Sequence, residues 1–434
     1  MQEIGIGLLG FGTVGTGMVR GLLRNGDLIA GRCGIRLVLR AIADQDVTSD
    51  RGVEVDPSLL TTDAEAMIKD PRVDVVVELI GGTTAARTFI LQALKLGKPV
   101  VTANKALLAE HGEEIFNVAA ENDADLYYEA SVGGGIPIIR ALREGLVANH
   151  IESIYGILNG TCNYILTRME NEGLAFDDVL KQAQDLGFAE AEPSLDIDGW
   201  DTAHKTAILA SLTYGLPVSL DQIEVSGIRG LDPIDIRHAK NLGYRIKLMA
   251  VIKHVGGDVT AQVRPTLVPL SHPLASVSGV FNAVMVHGDV VGDTMYYGQG
   301  AGPDATGSAV LGDLVDVARN LASDSKQRIP AFVEHEHYGS IISSSDMPAK
   351  YFVRLSLQNQ PGSLGQVASR LGARGVSIAS MIQEPGPVDT YVPVVLIMEA
   401  AREMDLLEAM AELDSLDIVG EHIVSYGIEE FQAD

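Results

Sequence analysis

Cysteine and tryptophan are scarce in this 434-residue chain, which contains two cysteines and one tryptophan. Cys33 and Cys162 alone do not make a disulfide framework, and there is no CxxC pair to indicate a metal site. Basic residues are also few, with 32 Lys and Arg against 58 Asp and Glu and a formal net charge of −26. This balance argues against nucleic acid and against anionic membrane surfaces as partners, because both require clustered basic side chains.

Long apolar runs are missing as well. No stretch approaches the roughly 20 apolar residues that span a bilayer. The N-terminal MQEIGIGLLG lacks the basic segment that precedes the apolar run of a secretory signal. With 46% hydrophobic and 21% charged residues, the composition is that of a globular protein, and the length of 434 residues predicts two to four domains. These features predict a soluble cytoplasmic protein.

Apolar segments alternate with helical patterns over the first third of the chain. This alternation indicates an α/β fold with a parallel sheet, and strands rich in Val, Ile and Leu fit a sheet covered on both faces. Helical patterns such as 86–97 lie between predicted strands at 4–9, 35–43, 73–81, 98–104 and 124–132.

The rest of the chain has a mixed pattern. After a polar connector at 342–350, the order of segments predicts a compact βαββαβ unit that includes a helix at 402–414 and a strand from HIVSYGI. In the middle of the chain, helices are predicted at 160–172, 174–186 and 199–214, and strands at 151–157 and 261–268.

GFGTVG fits the GxGxxG pattern between a predicted strand and a helix. The first glycine permits a tight turn, the second lets the backbone approach a pyrophosphate, and the third allows close helix–strand packing. The helix N-terminus would face the phosphates. The pattern therefore predicts a dinucleotide site, with a plain tight turn as the alternative. The candidate residues are Gly10, Phe11, Gly12, Thr13, Val14 and Gly15.

Asp44 follows the second predicted strand and is a candidate ligand for the adenosine ribose hydroxyls, which favours NAD. The alternative is a solvated acidic turn. A 2′-phosphate would require an arginine at this place. Arg51 is seven residues further on and could reach the site only if the loop folds back.

Two further motifs lie at strand ends. In TANK, Lys105 ends a strand, where open α/β sheets present side chains to the ligand crevice; the alternative is a surface lysine. In EASVGGGIP, residues 129–137, a glutamate and a glycine-rich loop could bind a hard cation through oxygen atoms. From these residues alone, a tight turn without metal is the favoured interpretation.

The stretch GFAEAEPSLDIDGWDTAHK crowds carboxylates ahead of a single lysine, Lys205. A lysine before the apolar AILASL would be poorly solvated, and desolvation adapts an amine to proton transfer. The carboxylates could meanwhile bind a substrate ammonium group. The alternative is a surface ion pair between Asp201 and Lys205, which share a helix face. The five carboxylates are Glu190, Glu192, Asp196, Asp198 and Asp201.

Cys162 could be a nucleophile, because a helix N-terminus lowers the pKa of a thiol. Within a helical turn, however, a cysteine is more often a small buried hydrophobic residue, and that interpretation is favoured.

Together these motifs resemble homoserine dehydrogenase, in the longer bacterial form that has a C-terminal ACT domain. The resemblance covers nearly the whole chain. It implies NAD(P)-dependent interconversion of L-homoserine and L-aspartate 4-semialdehyde in the pathway to threonine, methionine and isoleucine. It is carried by GLLGFGTVG, ELIGG, TANKALLA, EASVGGGIPII, GILNGTCNYIL, the acidic stretch and GAGPDATGSAV.

The resemblance also implies roles for residues. Lys205 would exchange the proton at the substrate oxygen, Lys105 would assist beside the nicotinamide, and the ammonium group of homoserine would explain the crowded carboxylates. The implied substrate-binding residues are Glu190, Asp196 and Asp201. Further implied cofactor contacts are Gly81, Thr83, Lys105 and Gly302. A sodium ion is implied at Glu129 and the carbonyls of Val132, Gly134 and Ile136.

Two departures from the family pattern have consequences. Gln45, preceded by Asp44, stands where the family often has an arginine, so we expect NAD to work at least as well as NADP. Ala85 replaces a frequent proline after ELIGG, which should soften that loop without removing function.

The segment NQPGSLGQVASRLGARGVSIASMIQ resembles an ACT domain, which implies a small amino-acid effector, with threonine expected. The alternative is an ACT domain that only mediates oligomerisation. For the whole protein, a homodimer or homotetramer is expected. The candidate effector contacts are Asn359, Gly362 and Leu364.

The resulting domain prediction has four parts. A Rossmann-like NAD(P)-binding domain spans 1–130 and is completed by about 303–325, an α+β catalytic and dimerisation domain spans 131–302, a linker spans 326–349, and an ACT regulatory domain spans 350–434. Two rival functions remain at this point: a phosphorylating aldehyde dehydrogenase with Cys162 as nucleophile, and a non-catalytic amino-acid sensor that retains NAD(P).

Overall fold

The computed structural model describes residues 1–335, 338–420 and 423–431. Its helices are α1 Thr13–Cys33, α2 Ala64–Lys69, α3 Ala85–Lys95, α4 Lys105–Glu121, α5 Ile138–Arg140, α6 Gly160–Glu172, α7 Phe176–Asp185, α8 Ser194–Ile197, α9 Trp200–Tyr214, α10 Pro233–Asn241, α11 Pro303–Ser323, α12 Ser363–Ala373 and α13 Glu403–Asp414. Its strands are β1 Gln2–Leu9, β2 Ile35–Ala43, β3 Leu60–Thr61, β4 Val75–Glu78, β5 Val100–Thr102, β6 Leu126–Tyr127, β7 Ile151–Ile157, β8 Glu224–Val225, β9 Tyr244–Val255, β10 Asp258–Pro269, β11 Phe281–Gly288, β12 Gly292–Gln299, β13 Pro348–Gln358, β14 Ile378–Gln383, β15 Tyr391–Arg402 and β16 Val424–Ile428.

The first six strands form a parallel sheet in the order β3-β2-β1-β4-β5-β6. Successive residues of β4 point to opposite faces, so Val75 and Val77 pack with α1 and α11 while Val76 packs with α3 and α4. This coverage of both faces explains the continuous apolar strands and confirms the predicted Rossmann-like sheet. The chain reverses its direction of travel between β1 and β4, which is where such sheets bind ligands.

Helix α11 returns from the middle of the chain to pack on α1. The approach is close because glycines face each other: a Cβ added to Gly17 would lie 2.0 Å from the carbonyl oxygen of Pro303, and one added to Gly307 would lie 2.7 Å from the backbone nitrogen of Met18. The N-terminus of α11 is thereby held beside the glycine-rich turn that precedes α1.

The second sheet has ten strands in the order β12-β11-β7-β9-β10-β16-β13-β15-β14, with β8 paired to β10. The predicted βαββαβ unit is confirmed as β13, α12, β14, β15, α13 and β16. Its last strand also pairs with β10, where Thr266 lies opposite Gly427. The C-terminal unit therefore continues the central sheet, a relationship that the predicted linker did not anticipate.

Two predictions of local structure need correction. The strand predicted at 124–132 ends at Tyr127, because Glu129–Ser131 form a 3-10 turn. Lys105 begins α4 and does not end a strand, since Asn104 caps that helix. The sequence pattern also missed β9, β11, β12 and α10. Predicted segments that include residues 336–337, 421–422 or 432–434 extend outside the described residues there.

Within the described part of the chain, no helix is long and apolar enough to cross a membrane.

Candidate active site

The glycine-rich turn has the geometry that a dinucleotide requires. Gly10 adopts φ +94°, and a Cβ there would lie 2.7 Å from the backbone of Leu79. A Cβ at Gly15 would lie 2.2 Å from the Gly10 carbonyl oxygen, whereas one at Gly12 would meet no atom within 4 Å. The first and third glycines are thus required by packing, and the second faces open space into which a pyrophosphate could fit.

Asp44 lies directly against this turn. Its Oδ2 accepts the N–H of Phe11 at 2.5 Å, and its Oδ1 accepts the N–H of Asp46 at 2.9 Å. The loop does fold back, so that Nη2 of Arg51 lies 3.9 Å from Asp44 and 3.1 Å from Asp46. Both candidate determinants of cofactor choice therefore lie together at the end of β2, with the arginine engaged by two carboxylates.

Lys105 and Lys205 meet at one carboxylate, that of Asp201. Nζ of Lys205 donates to Oδ2 of Asp201 at 2.7 Å, and Nζ of Lys105 lies 3.3 Å from Oδ1. Lys205 also donates to the carbonyl of Leu158 at 2.7 Å. Lys105 reaches Asp201 because α9 lies between α4 and the strands β9 and β10, and these elements bury α9 on nearly all sides.

Burial of the lysine confirms that Lys205 is poorly solvated: the residue is 8% exposed and Asp201 5%. Burial alone would raise the pKa of Asp201, but Lys205 and Lys105 hold that pKa well below its usual range. Asp201 is therefore an anion that orients two ammonium groups. The predicted contact between Asp201 and Lys205 is confirmed, and its interpretation as a surface ion pair is wrong.

Asn159 joins a third member of the acidic stretch to this centre. Its side-chain nitrogen donates to Oδ1 of Asp196 at 2.7 Å and to Oδ2 of Asp201 at 2.8 Å, while its oxygen caps α6 by accepting the N–H of Cys162. Burial, together with repulsion from Asp201, raises the pKa of Asp196. Sequence reasoning missed Asn159, although an Asn-Gly pair ahead of a helix is the signal of such a cap.

The remaining carboxylates of the stretch lie apart from the lysines. Asp198 pairs with Arg229 at 2.7 Å, and Glu192 accepts the hydroxyl of Ser194. Glu190 is exposed, and its backbone carbonyl accepts the side-chain amide of Gln184. Among the predicted substrate residues, the structure thus brings Asp196 and Asp201 together and leaves Glu190 at the surface.

The loop after β6 packs against the start of α11. A Cβ at Gly134 would lie 2.6 Å from the backbone of Gly300, and the N–H of Gly135 donates to the carbonyl of Gln299. The carboxylate of Glu129 accepts the N–H groups of Ile139 and Arg140 at 2.9 and 2.8 Å. Gly302, with φ +112°, precedes α11. The predicted cation loop and the late cofactor contact are therefore neighbours.

Cys162 is fully buried, and burial raises the pKa of its thiol well above the usual value. Its sulfur contacts the backbone oxygen of Asp196 at 3.2 Å. A buried, protonated thiol is a poor nucleophile, so the structure supports the interpretation of Cys162 as a packing residue.

The chain matches three family models: "Homoserine dehydrogenase, NAD binding domain" over residues 10–129, "Homoserine dehydrogenase" over 137–315 and "ACT domain" over 351–417. A homoserine dehydrogenase of Neisseria gonorrhoeae is 43% identical over 440 residues, covering 99% of both proteins. The chain belongs to the homoserine dehydrogenase family. A second homoserine dehydrogenase, of Pseudomonas aeruginosa, is 42% identical and covers 99% of this chain and 100% of its own.

Solved homoserine dehydrogenases have the same fold. The structure of the enzyme from Thiobacillus denitrificans superposes with a TM-score of 0.91 at 40% identity and covers 99% of both chains. A hyperthermophilic archaeal homoserine dehydrogenase, solved in complex with NADPH, superposes with a TM-score of 0.62 at 28% identity, over 73% of this chain and 98% of that one. As a homoserine dehydrogenase, the protein is an NAD(P)-dependent oxidoreductase that interconverts L-homoserine and L-aspartate 4-semialdehyde.

The three predicted effector residues lie around the N-terminus of α12. Asn359 donates to the carbonyls of Gly386 and Pro387 at 2.8 and 3.2 Å, so its side chain holds two loops together. Gly362 adopts φ +93° immediately before α12, and Leu364 packs partly buried against the core of this unit.

Proposed function

We propose that Lys205 donates and accepts the proton at the reacting oxygen of homoserine and its aldehyde. The single observation that carries this role is the buried 2.7 Å contact with Asp201. An ammonium group has three N–H bonds, and Asp201 and Leu158 take two of them. The third is left to reach a substrate oxygen, and the fixed carboxylate keeps the amine oriented as its charge changes.

Lys105 has the second place in the proposed mechanism. It opens α4 beside β5, and its side chain is one-third exposed, so the amine can approach both Asp201 and a ligand in the crevice. When bound, the nicotinamide would accept the hydride from the alcohol carbon of homoserine, or return it to the aldehyde in the reverse direction. The protein residues contribute orientation, exclusion of water from a buried amine, and one proton at the substrate oxygen.

The substrate ammonium group is assigned to the acidic stretch. Asn159 bridges the carboxylates of Asp196 and Asp201, so the two acids lie close together beside the lysines. Glu190, which is exposed, is proposed as a further contact for this group. This division leaves Asp201 to orient the lysines and Asp196 with Glu190 to pair with the ammonium group.

For the cofactor, we assign the pyrophosphate to the turn at 10–15, the ribose to Asp44, and the nicotinamide end to Gly81, Thr83, Lys105 and Gly302. NAD should work at least as well as NADP, because Asp44 and Asp46 engage Arg51 and would repel a 2′-phosphate. The open space at Gly12 supports the assignment of the pyrophosphate, and the two carboxylates that engage Arg51 support the preference for NAD.

We propose a sodium ion in the oxygen-rich loop after β6. Its proposed ligands are Glu129 and the carbonyls of Val132, Gly134 and Ile136, all hard oxygen donors. A second buried carboxyl group, that of Asp313, accepts the N–H of Glu129 at 2.9 Å. Burial and the neighbouring Glu129 raise the pKa of Asp313 to about 8, and a bound cation would favour the ionised form of such a carboxyl group.

The ACT unit is the proposed effector site, with threonine as the effector and Asn359, Gly362 and Leu364 as contacts. An amino-acid product that binds there would regulate its own synthesis.

We further propose a homodimer or homotetramer, with the four domain boundaries predicted above. We propose the cytoplasm as its location.

The test is a steady-state assay of the purified protein with L-homoserine, following absorbance of the reduced nicotinamide with NAD and then NADP, each with and without threonine and sodium. Reduction of NAD at a rate at least equal to that of NADP is expected. Folded protein that binds both cofactors but reduces neither would contradict the proposed roles and favour an amino-acid sensor. A rate unaffected by threonine would remove the regulatory proposal while leaving the catalytic one intact.

A further inference from the structure

A buried carboxyl group at the end of β4 has no part in the mechanism described above. Glu78 is 0% exposed. Its Oε1 accepts the N–H groups of Ile80 and Gly81 at 2.9 and 3.1 Å, and its Oε2 accepts the hydroxyl of Thr102 at 2.6 Å. Glutamate is almost never fully buried unless it is satisfied in this way.

The hydrogen bonds continue from Thr102 to the start of α4. The hydroxyl oxygen of Thr102 accepts the N–H of Asn104 at 3.0 Å, and the side-chain nitrogen of Asn104 donates to the carbonyl of Gly82 at 2.7 Å. The side-chain oxygen of Asn104 caps α4 by accepting the N–H of Leu107 at 3.2 Å. A closed ring of hydrogen bonds thus joins the loop after β4 to the helix whose first residue is Lys105.

Burial of a carboxyl group costs solvation free energy, which indicates that Glu78 has a specific role at this position. The three residues ahead of Glu78 are fully buried valines, and an apolar residue would continue them without loss of solvation. Burial raises the pKa of Glu78 above its usual value, although the hydrogen bonds from Thr102, Gly81 and Ile80 oppose that rise. The loop it holds contains Gly81 and Gly82 at φ +73° and +71°, which would otherwise be flexible.

We propose that Glu78, acting through Thr102 and Asn104, is the positioning residue that holds the start of α4 so that Lys105 stays in contact with Asp201. The proposal rests on the proposed role of Lys105. The 3.3 Å distance between Lys105 and Asp201 depends on where α4 begins, and a displacement of about 1 Å can cost on the order of 100-fold in rate.

The test compares Thr102→Val, which removes the hydroxyl at constant shape, with Thr102→Ser, which keeps it. Glu78→Gln removes the charge, and Thr88→Val on the exposed face of α3 is the matched control. We expect kcat to fall roughly 10- to 100-fold in Thr102→Val and Glu78→Gln, with Thr102→Ser and the control within about threefold. The dissociation constant of NADH, measured by fluorescence, should change less than about threefold.

A double variant separates positioning from general loss of structure. If the ring acts through Lys105, Thr102→Val should slow Lys105→Ala little further, so the two effects are not additive. Additive effects, or losses of kcat that follow losses of NADH binding, would overturn the positioning role. If Lys105→Ala is slow but Thr102→Val is fully active, the positioning role is contradicted and the role of Lys105 stands. If Lys105→Ala is itself fully active, the proposed role of Lys105 is contradicted.

Discussion

Lys205 donates to Asp201 from one helical turn further along α9, at 2.7 Å, and both residues are buried. On the other side, Lys105 approaches the same carboxylate from α4. One anion therefore sets the orientation of both amines that the proposed mechanism uses.

Replacement of that anion tests the arrangement. We expect Asp201→Asn to lower kcat roughly 10- to 100-fold, because a neutral amide forms weaker hydrogen bonds to an ammonium group than a carboxylate does. Asp177→Asn, on the exposed side of α7, is the matched control. Steady-state kinetics with circular dichroism to check folding would measure both, and a kcat within twofold of the parent would contradict the orienting role.

Cofactor choice should depend on Asp44. We expect Asp44→Ser to shift the ratio of kcat/KM for NAD over NADP by about 10-fold or more towards NADP, because the change removes a negative charge and a ribose ligand beside Arg51. Asp50→Ser, at an exposed position of the same loop, should leave the ratio unchanged. A parent enzyme that strongly prefers NADP, or an unaltered ratio in Asp44→Ser, would contradict this assignment.

Lys247 predicts a pH dependence of stability. It is 1% exposed, it donates to the side chain of Asn163 and the carbonyl of Val277, and burial lowers its pKa to about 7. In the unfolded chain the pKa is roughly 10.4, so between these values the unfolded state binds the additional proton. The free energy of unfolding should therefore rise with pH across this window, by about 1.4 kcal/mol per pH unit from this group.

The comparison of the parent with Lys247→Met isolates that contribution. Urea unfolding at about pH 7.5 and about pH 9.5 should show the parent gaining stability relative to the variant as the pH rises. Lys181→Met on the exposed face of α7 serves as the control for loss of a lysine. A difference between parent and variant that stays constant with pH would contradict the prediction.

The ACT unit is tied to the catalytic part of the chain by a buried ion pair. Arg354 of β13 pairs with Asp235 of α10, which also accepts the hydroxyl of Tyr426 at 3.0 Å, and the two charged residues are 8% and 0% exposed. We expect Arg354→Met to destabilise the protein by about 3–5 kcal/mol, because it leaves the carboxylate buried without its partner.

Matched variants make that prediction specific in urea unfolding. Adding Asp235→Leu to Arg354→Met should restore much of the loss, since removal of both charges is nearly neutral in many proteins. Arg402→Met, which breaks an exposed pair with Asp405, should cost at most about 1 kcal/mol. If Arg354→Met were no less stable than Arg402→Met, the buried ion pair would not have the importance assigned to it here.

The sequence predicted those contacts that lie within one element. Asp201 and Lys205 are four residues apart on a helix, so periodicity alone places them together, and the glycine spacing encodes the turn at 10–15. Lys105 meets Asp201 only because α4 packs on α9, and Glu78 reads as one more residue of a buried strand. Such contacts depend on tertiary packing, which short-range sequence patterns do not encode.

The missed strands have similar physical reasons. β12 exposes alternate residues such as Met295 and Tyr297 at the edge of the sheet, so its composition resembles a loop. β9, YRIKLMAVIKHV, places basic residues on both sides of the short apolar run LMAVI, and periodicity cannot distinguish such a segment from a helix. The pairing of β16 with β10 joins residues far apart in the chain, and neither segment carries a local signal for the other.

The measurement that tests the proposed mechanism most directly is the turnover of Lys205→Ala beside its affinity for NADH, with Lys181→Ala as the control. The proposed proton transfer predicts a kcat that falls by roughly 100- to 10,000-fold, while the NADH dissociation constant stays within about threefold. A folded Lys205→Ala enzyme that keeps kcat within a few-fold of the parent would contradict the role of Lys205.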